Sequence, residues 1–364
     1  MAKKEDLAHV IAESLNKSSD SQIAYILGDS NSIAPTLLTD FISTGSSILD
    51  LAISNRPHGG IACGRITELQ GNEGSGKSLI SAHIMAETQK RGGVAVLIDT
   101  ETAVNYDFFE AIGLDLKKMV YINENVIERI FEHIEDVIET VRKADKNKVV
   151  TIVVDSVAGA TTEKEAESEH GVDGYATGKA IIISKALRKI TKLIGDQKIA
   201  LIFTNQLRQK MNAMPFADQY TTSGGKSIAF HASTRIRLSL AGTIKSTDKE
   251  VVGVIVEAKV IKNRLGPPYR KARFNVLFDR GIDDYNSWYD YMKEKKLFGG
   301  SAQAPTWEDP VTGETIKFKK STFVEDLLSD SERKDRVYMH LCDTLIKEYA
   351  STDTLVETEE LPEE

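Results

Sequence analysis

Eight consecutive residues, Gly71, Asn72, Glu73, Gly74, Ser75, Gly76, Lys77 and Ser78, restrict this chain more than any other stretch. They fit the pattern G-x-x-x-x-G-K-[ST], which works in one setting: a strand must enter it and a helix must leave it. Both flanks agree. Arg65–Gln70 alternates apolar and polar residues as a strand does, and Leu79–Ala86 reads as a helix. The glycines let the backbone curl, so that consecutive N–H groups and the positive helix end face an anion. In that geometry Gly71 to Leu79 cradle nucleotide phosphates. Lys77 reaches the β- and γ-phosphates, and the Ser78 hydroxyl ligates Mg²⁺. Nucleotide binding is expected, and the motif alone leaves its purpose open.

The pattern around the motif predicts the fold class. Val94–Ile98, Val149–Val154 and Ile199–Phe203 are near-continuous apolar runs, as parallel strands buried on both faces are. Val126–Lys143 and Lys179–Leu193 between them carry helical spacing. This alternation predicts an α/β fold with a mostly parallel central sheet. Thr234–Leu240, Val251–Lys262 and Ala272–Phe278 are β-rich without long helices between them, which predicts an antiparallel extension of the sheet.

Four segments are expected. Residues 1–35 read as a short helical arm, too small for a domain and suited to docking on the core or on a neighbouring subunit. Residues 36–280 form the core, and 281–352, with Trp288, Trp307 and a helix near Arg333–Tyr349, a small α+β C-terminal domain. Residues 353–364 hold six acids and no bases. They are either a disordered tail or a DNA mimic that restrains access to a basic surface.

Composition removes several classes. No apolar run approaches the roughly 20 residues that span a bilayer, and Met-Ala-Lys-Lys-Glu-Asp at the start lacks the apolar segment of a secretory signal. The only cysteines, Cys63 and Cys342, suggest neither a disulfide framework nor a zinc site and suit a reducing cytosol. A net charge of −8 argues against a generally basic nucleic-acid coat. Contact with DNA would have to come from local patches.

Hydrolysis needs two further carboxylates. Val153-Val154-Asp155-Ser156 ends a buried strand in an acid, where Asp155 would share the Mg²⁺ shell with Ser78. Many ATPases place a water-orienting Glu directly after that Asp, but here the position is Ser156. Glu101, leaving the C-terminal end of Leu97–Asp99, is the substitute. Ligands bind at that edge of an open α/β sheet. The alternative for Glu101 is an ordinary surface acid at the start of a loop. Gln206 heads a fourth strand tip, where a neutral amide can bond the γ-phosphate, lose that bond on hydrolysis and move the loop behind it.

Together these residues resemble the RecA family of DNA strand-exchange recombinases, its bacterial and bacteriophage branch above all. Ile42–Asp50, Gly64–Glu68, Leu97–Glu101, Val153–Val157, Phe203–Arg208, Thr221–Gly225 and Lys259–Arg264 match family segments in order, over roughly residues 35–285. The resemblance implies that Glu101 is the catalytic carboxylate and Gln206 the γ-phosphate sensor. It implies that Phe108 stacks on adenine, with Phe278 on the other side of the base. Ala229-Phe230 then carries the nucleotide signal to a subunit interface. Lys262 and Arg264 reach the neighbour's ATP across that interface. The second is Arg where bacterial members commonly have Lys, which keeps the charge and adds a planar donor fork.

The implied activity is that of an ATP- and Mg²⁺-dependent homologous recombinase with a DNA-dependent ATPase. It would form helical filaments on single-stranded DNA, pair that strand with homologous duplex and exchange strands in recombination and repair. Single-strand-binding and mediator proteins are implied helpers and a membrane is not. The implied setting is the cytoplasm of a bacterium or of a phage-infected host.

Residues 207–226 carry Arg208, Lys210 and Lys226 around Met211, Met214, Phe216 and Tyr220, closing on Gly224 and Gly225. Such a loop either folds over the core or meets a partner. The resemblance favours DNA, with phosphate contacts for position and apolar wedges between bases. The earlier loop, 163–178, is acidic, and its local candidates are Tyr175, Lys179 and above all Arg188. From Ala258 to Arg273 six bases stand with no acid. They are a solvated strand pair, or they divide into Lys262 and Arg264 at the interface and Arg270 and Lys271 in a secondary DNA groove. Two rival functions share the ATPase core: a hexameric helicase ring and a non-catalytic, nucleotide-dependent scaffold. The short N-terminal region argues against the first, and Glu101 with Gln206 against the second.

Overall fold

The computed structural model describes residues 6–19, 22–27, 34, 36–102, 104–167, 175–209 and 220–347. It divides into two units, 1–39 and 40–364. In the first, helix α1 (Leu7–Lys17) starts at Asp6, whose carboxylate accepts from the Ala8 amide. Its Leu7, Val10, Ile11 and Leu15 are all exposed.

In the second unit the strands are β1 (Phe41–Ile42), β2 (Ile61–Ala62), β3 (Arg65–Gly71), β4 (Val94–Asp99), β5 (Met119–Asn123), β6 (Val150–Asp155), β7 (Ile199–Gln209) and β8 (Tyr220–Thr222). They continue with β9 (Thr234–Lys245), β10 (Val251–Asn263), β11 (Lys271–Leu277), β12 (Gly281–Asp283), β13 (Gly299–Ser301), β14 (Ala304–Glu308) and β15 (Thr315–Lys317). The helices are α2 (Ser47–Ser54), α3 (Lys77–Lys90), α4 (Tyr106–Ala111), α5 (Ile127–Ala144), α6 (Glu163–Glu167), α7 (Tyr175–Asp196), α8 (Lys226–His231), α9 (Asp284–Glu294), α10 (Phe323–Leu327) and α11 (Ser331–Leu345).

A ten-stranded sheet runs β12-β11-β10-β9-β3-β7-β6-β4-β5, with β8 paired to β7. The strands from β9 to β5 are parallel, and β10, β11 and β12 extend the sheet antiparallel as Val251–Lys262 and Ala272–Phe278 foretold; Thr234–Leu240, expected in that extension, lies in β9 and pairs parallel with β3. Both faces are covered because successive side chains of each central strand point to opposite sides. Ala95, Leu97, Val153 and Ile202 pack on the side of α2 and α3. Val96, Ile98, Ile152, Val154 and Leu201 pack on the side of α5 and α7. Helix α5 shows how the helices are read: Ile127, Ile130, Phe131, Ile134 and Ile138 recur at helical spacing, and all are buried.

Helix α7 begins at Tyr175, four residues before the stretch that sequence spacing marked as helical, so the acidic loop is shorter than expected. Trp288, Trp307, Phe323 and Leu341 belong to the same buried cluster as α2 and α3. Trp307 is fully buried and donates its indole N–H to His340 Nδ1 at 3.1 Å. The C-terminal segment thereby shares the core's apolar interior.

Candidate functional site

The phosphate-loop motif occupies the turn between β3 and α3. Gly74 and Gly76 have φ of +68° and +95°, a region that side chains disfavour. At Gly71 a Cβ would stand 2.3 Å from Ser75 Oγ and 2.8 Å from the Leu238 carbonyl, so only glycine fits. Gly76 caps α3 without a side chain, which leaves the first-turn amides for a ligand. Lys77 is buried and donates to the carbonyls of Gly71 (3.0 Å) and Asn72 (2.8 Å). Burial lowers its pKa, against the pull of Asp155, Glu101 and Glu73. Beside the loop opens a cavity of about 300 Å³, lined by Gly74 to Leu79 and by Val254, Val256 and Val276. Phe108 from α4 and Phe278 just beyond β11 line the same cavity.

The acids stand on neighbouring tips. Burial raises the Asp155 pKa, hydrogen bonds from Ser78 and Thr204 pull it back, and Glu101 and Asp99 push it up again. Glu101 leaves β4 through a turn in which Asp99 Oδ1 accepts from the amides of Glu101 and Thr102, both at 2.9 Å. Its carboxylate accepts from Ser156 Oγ at 2.5 Å. Ser156 is itself held by Thr100, whose hydroxyl accepts from the Ser156 amide (3.0 Å) and donates to its carbonyl (2.8 Å). Gly159 leaves room for this arrangement, because a Cβ there would lie 2.7 Å from Glu101 Cγ. Sequence reasoning treated Ser156 as the place where a Glu is missing. The fold makes it the hydrogen-bond partner of Glu101, the expected substitute.

Parallel pairing sets Gln206 beside Gly71, so β3, β7, β6 and β4 bring the loop, Gln206, Asp155 and Glu101 to one sheet edge. Beyond Gln206 the chain stays extended: Leu207–Gln209 pairs antiparallel with Tyr220–Thr222, forming the base of a hairpin. Arg208 is exposed on it opposite Thr221. Gly224 and Gly225 have φ of +82° and +70°, and Lys226 opens α8, which packs on α7. Arg188 is exposed on α7, with its guanidinium on Ser184. Lys210, Met211, Met214 and Phe216 lie outside the described residues, as does 353–364. Lys179, half-buried, donates to the Ala160 carbonyl.

The comparisons with known proteins agree with this geometry. The family model described as the RecA N-terminal domain matches residues 10–283. Protein RecA of a Nitratiruptor species is 34% identical over 307 residues, 84% of this chain and 86% of that protein. Protein RecA of Helicobacter pylori (strain G27) is 34% identical over 287 residues, 79% of this chain and 80% of that protein. The chain belongs to the RecA family.

As a RecA-type recombinase it is a DNA-dependent ATPase, which decides against the ring helicase and the scaffold. Membership brings nucleotide binding, DNA binding and self-assembly with it.

Lys262 and Arg264, the two bases expected at a subunit interface, lie on β10 and just beyond it. Lys262 pairs in register with Arg235, which pairs with Glu68, three residues before Gly71. Its ammonium donates to the carbonyls of Ala229 (2.7 Å) and Phe230 (2.9 Å) at the end of α8. The Arg264 amide donates to the Ser233 carbonyl at 2.9 Å. Phe230 is 70% exposed beside a second cavity of about 410 Å³, to which Lys262, Lys226 and Tyr220 also contribute.

One expectation fails here. Arg270 is buried, donating to the carbonyls of Leu51 and Leu345 and to Asn55 Oδ1, so it clamps α2 to the end of α11 and reaches no DNA groove. Lys271 and Arg273 pair with Glu257 at 3.1 and 2.7 Å across β10 and β11. The run that held no acid along the chain finds one on the neighbouring strand.

Proposed function

We propose that this chain binds ATP with Mg²⁺ between adjacent subunits of a helical filament on single-stranded DNA, pairs that strand with homologous duplex and exchanges strands. One observation carries the reading: a complete phosphate loop and hydrolytic tips share one edge, while neither Lys262 nor Arg264 of the same chain lines the cavity beside the loop. A second subunit is needed to bring those bases to the nucleotide.

The loop's residues suit a phosphate. Among the described residues Ser75 Oγ is buried without a hydrogen-bond partner, and Lys77 is held only by carbonyls that a phosphate oxygen can replace. Gly71 to Leu79 cradle the phosphates, and Phe108 and Phe278 flank the base. Ser78 and Asp155, already bonded to each other, are the pair to hold magnesium. When bound, that ion neutralises charge on the β- and γ-phosphates.

Glu101 orients the attacking water and takes its proton, with Ser156 fixing the carboxylate's direction. Lys262 and Arg264 stabilise the charge that develops on the neighbour's phosphate, as an arginine supplied in trans does. Gln206 bonds the γ-phosphate and releases it after hydrolysis, which shifts the hairpin. Arg188, Arg208, Lys210 and Lys226 hold DNA phosphates, together with the backbone at Gly224 and Gly225. Met211, Met214 and Phe216 wedge between bases. The arm over 1–35 docks on a neighbouring subunit, 36–280 carries catalysis, and 281–352 is a small accessory domain. Single-strand-binding and mediator proteins assist it in the cytoplasm.

The test is ATP hydrolysis with and without single-stranded DNA, together with electron microscopy of the product. DNA-stimulated hydrolysis with helical filaments is the expected result. Rings that unwind duplex, or assemblies that never hydrolyse, would sink the reading.

A further inference from the structure

Asn205 sits one residue before Gln206 and points to the opposite face of β7. It is fully buried, and each part of its amide has a partner. Nδ2 donates to Glu68 Oε1 and to the Ser223 carbonyl, both at 3.0 Å, while Oδ1 accepts from the Ser223 amide at 3.2 Å. Ser223 lies 18 residues further along, at the point where β8 gives way to Gly224 and Gly225. Asn205 therefore ties the returning end of the hairpin to the strand it left, beyond the last β7–β8 pair at Leu207 and Thr222.

Glu68 anchors this tie. It is fully buried, and its other oxygen takes Arg235 Nε at 2.6 Å. Arg235 in turn donates to Gln70 Oε1 at 3.3 Å, and Gln70 stands directly before the phosphate loop. The connected set crosses β7, β3 and β9, strands that are neighbours in the sheet. It joins the hairpin, the strand that feeds the loop, and the strand paired with β10 at Lys262.

We infer that Asn205 is a positioning residue that couples nucleotide state to the DNA-facing hairpin by holding Ser223 to Glu68. It touches neither nucleotide nor DNA. Its task is to make the hairpin's return end move with β7 and β3, so that a shift at Gln206 displaces both hairpin strands together. Without it the outgoing strand responds and the returning strand lags. The inference rests on the proposed link from Gln206 to the hairpin.

Four full-length variants test it. In Asn205→Ala the ratio of DNA-stimulated to basal hydrolysis falls by roughly tenfold, within the range of ordinary coupling between sites. Basal hydrolysis and ATP affinity hold. Amide exchange over 220–225 stops responding to ATP, while the phosphate loop still does. A purely structural role would instead raise exchange equally in both nucleotide states. Glu68→Gln keeps an acceptor for Asn205 but unpairs Arg235, and it retains most of the stimulation. Should Asn205→Ala fail to fold, Asn205→Ser with the same two readouts decides the question. Gln206→Ala separates the levels: if it keeps full stimulation, the link itself fails and the inference with it. If Gln206→Ala loses stimulation while the Asn205 variants keep it, only the role of Asn205 is overturned.

Discussion

At the scale of single residues, the proposed role of Glu101 depends on the few groups that orient it. Its carboxylate has Ser156 Oγ at 2.5 Å, and Ser156 is locked in turn by Thr100. Glu101→Gln is expected to lower DNA-stimulated hydrolysis by about 10²–10⁴-fold, the usual contribution of a general base, while ATP-dependent DNA binding persists. Turnover assays beside DNA-binding titrations check this, and unchanged turnover would remove Glu101 from the mechanism.

A second residue-scale prediction concerns pH. Asp50 is buried and accepts from the Thr44 amide and hydroxyl at 2.8 and 2.7 Å and from Ser43 Oγ at 2.5 Å, yet burial dominates and pushes its carboxyl from 3.8 up to about 7. Between those values the folded chain keeps a proton that the unfolded chain has lost. The stability owed to Asp50 is full below about pH 4 and is lost as pH rises through about 7. Urea denaturation of the parent and Asp50→Asn from about pH 4 to pH 8 is expected to show the parent losing ground over that window. A constant gap would mean that Asp50 stays ionised in the fold.

At the scale of elements, the apolar runs were plain in the sequence because a strand buried on both faces has no polar period to hide it. Strand β4 was readable residue by residue, and Asp99 to Glu101 followed from where the run stops. Strand β8 was not. Three residues, all at least partly exposed, become a strand only because β7 runs on past Gln206 and offers them its edge. The polar contents of β3 and β9 were equally silent. Glu68 and Arg235 lie 167 residues apart and meet only because β3 and β9 pair in parallel. Removing one partner of a buried pair strands the other charge, so Arg235→Ala is expected to cost about 3–5 kcal/mol. Chemical denaturation measures it, and Glu68→Gln in the same chain is expected to restore part of the loss. No recovery would show that the Arg235 stem, rather than the stranded charge, was what mattered.

At the scale of the whole molecule, the proposed division of labour between subunits carries the sharpest prediction. Neither Lys262 nor Arg264 lines the cavity beside its own phosphate loop, so Arg264→Ala is expected to bind ATP as the parent does but to lose DNA-stimulated turnover. Mixing it with Glu101→Gln creates one class of interface in which both halves are intact, and turnover is expected to return in the mixture. Turnover assays of each variant and of the mixture check this. Failure of complementation in filaments shown to contain both chains would mean that the two bases act within their own subunit.

What the sequence determined by itself was whatever fits within a contiguous window: the phosphate loop between a strand and a helix, the acids at strand ends, and the apolar periods that specify an α/β sheet. These follow from local backbone geometry and from side-chain spacing. Tertiary structure alone decided which distant groups became partners. Ser156 serves Glu101 across 55 residues, and Arg270 gives its guanidinium to Leu345 instead of to DNA. Lys271 and Arg273 find in Glu257 an acid that their own stretch of chain lacks. The physical reason is the same each time. Strand order and register determine which buried polar atoms face one another, and a buried polar atom must be satisfied by whatever the fold sets beside it.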